Sequence, residues 1–182
     1  MDPTDETLMA AYCSGDSGAF DTLYARHKAP VYRYIGRLLR DTGDPDALFQ
    51  EVWFRVVHHR NAWSRSRGFK PWLFAIAHNI AIDHLRSAGR QPAEPLDTGP
   101  ELASRQPDID RWQIIRDCVE RLLGLLSELP EAQRSAFLLK EEAGLSLQEI
   151  ARVADVGRET IKSRLRYALQ TLRRGLEDCE HV

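Results

Sequence analysis

Residues 145–169 read LSLQEIARVADVGRETIKSRLRYAL. Their order predicts two helices separated by a tight turn. Ser146 stands at an N-cap position and Glu149 follows three residues later, so each side chain can satisfy a backbone amide near the other. Leu147, Ile150, Ala151 and Ala154 supply the inward side of the first helix. The turn falls at Ala154-Asp155-Val156-Gly157, because Asp tolerates a left-handed backbone and Gly can open the next helix. In the second helix Ile161, Leu165, Leu169, Leu172 and Leu176 form one stripe, which should bury against a partner helix. The other face carries Arg158, Lys162, Ser163, Arg166, Tyr167, Arg173 and Arg174, and Glu159 is the only acid between Arg158 and Arg174. A helix about 10–12 Å across fits the major groove of DNA. Arg and Lys can read guanine edges or hold phosphates. A solvated basic face on an ordinary bundle helix is the simpler alternative. The capped first helix and the tight turn weigh toward duplex DNA, without saying which class of DNA binder this is.

Working outward, the chain has 182 residues, room for one ordinary domain or two small ones. Hydrophobic residues make up 43% and charged residues 29%, a globular composition. The formal net charge is −2, so any case for nucleic acid must rest on local charge. Cys13, Cys118 and Cys179 are far apart and odd in number. They suggest neither a zinc ribbon nor a disulfide framework, and inert thiols are expected. The histidines have no metal-ligand spacing and no nucleophile motif is evident, so neither a metal, a cofactor nor an enzymatic role is expected. No apolar run approaches the ~18 residues of a membrane span, and the acidic start is unlike a secretory signal, so a cytoplasmic protein without membrane insertion is expected.

Residues 89–108, GRQPAEPLDTGPELASRQPD, contain prolines at 92, 95, 100 and 107 and more acid than base. Proline lacks the amide proton and constrains its predecessor, so a long helix there is not expected. The stretch reads as a flexible, acidic linker reaching about 65 Å when extended, at ~3.3 Å per residue. The fold expected is all-α: a helical domain over 1–88, the linker over 89–108, and a helix-turn-helix domain over 109–182. In the first domain Phe20, Leu23, Tyr24, His27, Val31, Tyr32, Ile35, Leu38 and Leu39 recur at helical spacing, and Pro30 is expected to kink or divide that helix. Asp44 and Pro45 should start another, and a third should run from about Lys70 to Ser87.

Between Glu51 and Asp83 there is no acid, while Arg55, Arg60, Arg65, Arg67 and Lys70 alternate with Trp53, Phe54, Trp63, Phe69, Trp72 and Phe74. Basic side chains follow a phosphate backbone and aromatic faces accept unstacked bases, which suits single-stranded or melted nucleic acid. Trp72 and Phe74 fit helix core better, whereas Trp63 and Phe69 are the more open to contact. Asn79, Asp83 and Arg86 share one polar helical face.

Three segments in order, DPDALFQEVWFRVV, FKPWLFAIAHNIAIDHLR, and the stretch from LSELPEAQRSAFLLK through the opening motif to TLRR, resemble a bacterial RNA polymerase sigma factor of the extracytoplasmic-function (ECF) type. The resemblance implies two helical domains, the first binding the clamp of core RNA polymerase and opening the −10 promoter element. The second would bind the polymerase flap and the −35 element. Carried over by position, Leu48, Phe49, Gln50, Glu51, Trp53 and Arg55 would face the clamp. Arg60, Trp63, Arg65, Arg67, Phe69, Lys70, His78, Asn79 and Arg86 would bind and melt the −10 DNA. Arg158, Glu159, Thr160, Lys162, Ser163, Arg164, Arg166 and Tyr167 would contact the −35 DNA. His78 stands where such proteins often have Arg. An anti-sigma factor is a partner such proteins often have. The alternative is a two-domain regulator that senses a ligand through its N-terminal half.

Overall fold

The computed structural model describes residues 2–40, 42–88 and 109–179. The expected linker, residues 89–108, lies outside the described residues, as do the chain ends. Among the described residues there are helices and no strand: α1 (Asp5–Cys13), α2 (Ser17–Leu39), α3 (Pro45–His58), α4 (Phe69–Ala88), α5 (Ile109–Glu128), α6 (Glu131–Glu141), α7 (Leu147–Val153) and α8 (Arg158–Gly175). Short 3-10 turns at Arg60–Ala62 and Arg65–Arg67 bridge α3 and α4.

Local chemistry sets several of these boundaries. The Asp44 carboxylate accepts from the amides of Asp46 and Ala47, with Pro45 in the first turn of α3. α4 has a cap from outside its own sequence: the Phe69 amide donates to Glu6 Oε1 on α1 at 3.1 Å. Gly68, just before it, has φ +72°, a left-handed backbone that favours glycine. α2 runs through Pro30 without a break, so of the expected kink or division the division does not occur. The amide that proline lacks would have bonded the Arg26 carbonyl, and Arg26 is on the exposed side, where water can serve instead.

α1 to α4 form one packed unit and α5 to α8 a second, with α6 and α7 crossing α8. The two units also meet. α6 packs on α2 and α7 on α4, so one continuous buried cluster holds Leu38, Phe74 and Ala77 together with Ala136, Leu139 and Val153. This explains a misplaced tyrosine. Tyr32, read as inward, is 40% exposed, while Tyr34 is fully buried. α2 buries a second face against α6, and periodicity read for one face misses the other.

The expectation of three inert thiols is corrected for two of them. Cys118 on α5 and Cys179 after α8 form a disulfide across 61 residues of sequence. Packing of α5 on α8 brings their Cα atoms to 5.9 Å, a distance that no spacing rule reveals. Cys13 remains free, its thiol donating to the Arg60 carbonyl.

Candidate nucleic-acid interface

The helix-turn-helix forms as its residues dictate. Ser146 Oγ accepts from the Glu149 amide, and the Ser146 amide donates to Glu149 Oε2 at 2.8 Å, completing the capping box. Burial alone would raise the Glu149 carboxyl, but the bonds it accepts from Ser146 Oγ and the Ser146 amide, with the Arg152 and Lys70 charges, outweigh it and hold the carboxyl below its usual range. A cap of this kind stabilises a helix by about 1 kcal/mol. Asp155 takes the left-handed turn conformation, with φ +50°. Ile161, Leu165, Ala168 and Leu172 are the buried stripe of α8, and Leu169 lies at its margin, 38% exposed.

That stripe turns Arg158, Glu159, Thr160, Lys162, Arg166 and Tyr167 outward, with Ser163 and Arg164 half-buried at the edges. Tyr167 is 49% exposed and lies under the Arg166 guanidinium, 4.9 Å from ring centroid to carbon. Stacking holds the arginine without neutralising it. Glu159 lies 3.7 Å from Lys162, an exposed pair that leaves both side chains free to reach outward. Leu147, Leu165 and Leu169 floor a groove of about 800 Å³ beside this face, rimmed by Lys162, Arg166, Arg173 and Arg174.

The loop before α4 is basic on its outside. Arg65, Arg67 and Lys70 are exposed, and so are Asn79 and Arg86 on α4. Arg60 is half-buried over the Tyr12 ring, and its guanidinium donates to the Val57 carbonyl. The Trp63 indole donates to the Gly68 carbonyl at 3.3 Å, so this half-buried ring shapes the loop. Phe69 requires a correction. It is fully buried, packed near His27 and Trp72, because as the first residue of α4 it points into the core. The side chain offers no face to a base.

On α3 Trp53 is corrected in the same way. It is 6% exposed, wedged among Phe20, Tyr24 and Phe49, since positions 52, 53 and 56 face inward. Leu48 and Phe49 are half-buried and Gln50 is exposed. Glu51 and Arg55 pair at 2.7 Å on the outer side. The large apolar group on that side is Phe54, 57% exposed and stacked on His58.

A Sigma-70 region 2 family model matches residues 23–91, and a Sigma-70, region 4 model matches residues 119–172. The chain is 30% identical over 174 residues to the ECF RNA polymerase sigma factor SigK of Mycobacterium bovis, a match spanning 94% of this chain and 93% of that one. The chain belongs to the ECF sigma factors of RNA polymerase. It is 28% identical over 171 residues to SigM of Mycobacterium tuberculosis, across 94% of this chain and 84% of that protein. Its fold matches CnrH, solved in complex with the cytosolic domain of CnrY, with TM-score 0.69 and 23% identity over 97% and 98% of the two chains. As a sigma factor it is a transcription initiation factor that binds core RNA polymerase and directs it to promoters.

In this sigma factor the two candidate DNA faces adjoin one another. His78 and Arg86 of α4 and Arg164 of α8 line a single cavity of about 130 Å³. His78 Nδ1 is 2.9 Å from the Tyr34 hydroxyl and 3.2 Å from Ser135 Oγ, and those two oxygens are 3.2 Å apart. Burial first, then the Arg164 and Arg86 charges, push the His78 pKa down to about 4, so its ring is neutral at neutral pH. Burial likewise raises the Tyr34 pKa, which keeps its proton available to donate. On α6's far end the Glu142 carboxylate accepts from Arg33 at 2.7 Å and pairs with Arg37, both on α2. Sequence reading missed Arg33, Tyr34, Arg37, Ser135 and Glu142. Each looks like a surface or filler residue until α6 is laid against α2.

Proposed function

We propose that this sigma factor grips promoters at two points. The exposed face of α8, Arg158, Glu159, Thr160, Lys162, Ser163, Arg164, Arg166 and Tyr167, reads and holds the −35 duplex. The loop and helix carrying Arg60, Trp63, Arg65, Arg67, Lys70, His78, Asn79 and Arg86 bind and open the −10 element. The observation that carries this reading is the pairing of an outward basic recognition helix with a separate acid-free, basic loop beside an exposed Asn79. A regulator that sensed a small ligand would have no use for the second face. Phosphate contacts give affinity at both points, and pocket contacts offset the few kcal/mol needed to unstack a base.

Core polymerase then supplies the bond-forming chemistry, and the chain itself is not an enzyme. Its clamp surface is the outer side of α3, with Leu48, Phe49, Gln50, Glu51, Arg55 and the exposed Phe54. Phe54 takes the anchoring role that buried Trp53 cannot fill. The flap would take the second unit. The chain acts in the cytoplasm, where the polymerase is. An anti-sigma factor is proposed as a further partner. In support, CnrH is described with CnrY, and RpoE with the anti-sigma factor NepR of Bartonella quintana. The test is reconstitution: mix the chain with core polymerase and a genomic fragment library, and map transcript starts. Shared upstream elements at two fixed distances are expected. Starts with no shared element, or no complex with core, would sink the reading.

A further inference from the structure

The loop between α3 and α4 has little of its own to keep it in one shape. Its two 3-10 turns, Arg60–Ala62 and Arg65–Arg67, carry no side-chain cap. Arg65, Ser66 and Arg67 are exposed, so burial does not order that stretch. The Trp63 indole crosses the loop to the Gly68 carbonyl at 3.3 Å. From Arg60 to Phe69 the extended chain could span about 30 Å, at ~3.3 Å per residue. A free loop of that length samples many shapes, and capture of an unstacked base needs one.

α1 supplies the restraint, and it does so at both ends of the loop. At the start, the Cys13 thiol donates to the Arg60 carbonyl at 3.4 Å. The Arg60 guanidinium lies over the Tyr12 ring, 5.6 Å from its centroid. At the end, the Phe69 amide donates to Glu6 Oε1 at 3.1 Å. Glu6 and Cys13 stand near opposite ends of α1, about 10 Å apart at ~1.5 Å per residue. A rigid helix therefore sets the separation of the loop's two ends. The helix is itself fixed: Leu8 and Met9 are buried, and Asp5 lies 2.9 Å from Arg26 and 2.7 Å from His27, both on α2.

Glu6 has a second effect. The first amides of a helix have no partner within it and attract anions. The Glu6 carboxylate takes the Phe69 amide at the start of α4, which a phosphate of the DNA strand would otherwise take. Strand phosphates are thereby left to Arg65, Arg67 and Lys70, which are exposed. Gly68 makes the approach tight: it has φ +72°, and a Cβ there would lie 3.7 Å from Glu6 Oε1 and 3.3 Å from Pro71 Cδ.

Resting on the two-point reading, we infer that α1 is a splint for the −10 loop and that Glu6 is its main positioning residue. Glu6 touches no DNA. It fixes the start of α4, while Tyr12 and Cys13 fix the start of the loop, so that the basic loop meets separated bases already in shape. The ordering is done when the chain folds and not when the promoter opens.

The test uses the full chain with core polymerase and promoter fragments recovered by transcript mapping. Permanganate reactivity of −10 thymines, followed in time, gives the opening rate, and affinity before opening is measured beside it. Glu6→Ala should slow opening about tenfold, as loss of one charge-assisted hydrogen bond does, with affinity before opening unchanged. Glu6→Gln still offers an oxygen to the Phe69 amide and should recover most of the rate, which a mere packing role would not predict. In the free chain, Glu6→Ala should lose hydrogen-exchange protection over residues 60–70 while α3 keeps its own. Opening at the wild-type rate in Glu6→Ala, or Glu6→Gln as slow as Glu6→Ala, overturns the inference. Should Glu6→Ala fail to fold, Tyr12→Leu carries the test. It keeps apolar bulk but removes the ring under Arg60, and should slow opening about threefold; an unchanged rate overturns the splint. A wild type that binds promoters yet exposes no base near −10 sinks the two-point reading itself, and the splint's role with it. Normal opening by both wild type and variants removes the splint alone.

Discussion

α4 and α8 both carry basic residues that the sequence assigns to DNA, and they meet different fates. α8 packs by a single stripe, Ile161, Leu165, Ala168 and Leu172, so its assigned residues stay at the surface or its margin. α4 is enclosed from two sides. α2 and α3 take one face, and α7 takes part of the other. Of its assigned residues Phe69 is core and His78 is tied into a contact between units, while Asn79 and Arg86 remain exposed. A helix with one buried stripe can be read from its own spacing. A helix with two cannot, because the second neighbour is remote in sequence.

The sharpest way to break this contrast is at Phe69. If it is core, Phe69→Ala should cost about 3–5 kcal/mol of stability, seen as a lower urea midpoint for the N-terminal unit. A variant of native stability with impaired promoter opening would return Phe69 to the DNA face. The disulfide offers the matching challenge to the C-terminal unit. A bridge closing a loop of this size is worth up to about 4 kcal/mol in the chain-entropy view. Cys118→Ser with Cys179→Ser, or reduction, should lower the melting temperature of that unit. No change would mean that α5 and α8 pack without it.

Smaller effects should fall on function. Arg166→Ala should weaken duplex binding about tenfold and reduce the salt slope by about one, without changing binding to core polymerase. Equal loss of both would indicate misfolding. Phe54→Ala should weaken the complex with core polymerase by about tenfold or more, as loss of a central aromatic anchor does, and leave stability almost unchanged. Titration should have the smallest effect and bear on α4 alone. The ordinary histidine pKa is 6.5, and His78 in the folded chain sits near 4. The folded chain thus binds fewer protons than the unfolded one between those values, so its stability should fall as pH drops through that window. Smaller protection factors in α4, after correction for the intrinsic pH dependence of amide exchange, are expected at pH 5 than at pH 7.5, and His78→Gln should flatten the difference. Buried His27 of α2, whose pKa burial also lowers, will contribute to whole-chain stability with the same sign.

The capping box at Ser146 and Glu149, the left-handed Asp155 and the outward face of α8 were all legible from the residues, because each depends on neighbours within a few positions. The same holds for Asp44 and Pro45 at the start of α3. Trp53, placed at the clamp by position in the family resemblance, is core because Phe20 and Tyr24, remote in sequence, pack against it. Pro30 does not divide α2, because a missing bond on an exposed side costs less than one in the core.

By itself the sequence determined an all-helical chain, a helix-turn-helix and the order of segments shared with ECF sigma factors. These follow from periodicity, capping and turn chemistry, which act over a few residues. Tertiary structure alone decided which aromatics are core, that Cys118 meets Cys179, and that Tyr34, His78 and Ser135 converge. The physical reason is range. Apolar burial has no direction and is satisfied by whichever surface comes to hand. Only the folded chain shows that for α2 and α4 one such surface belongs to the other unit.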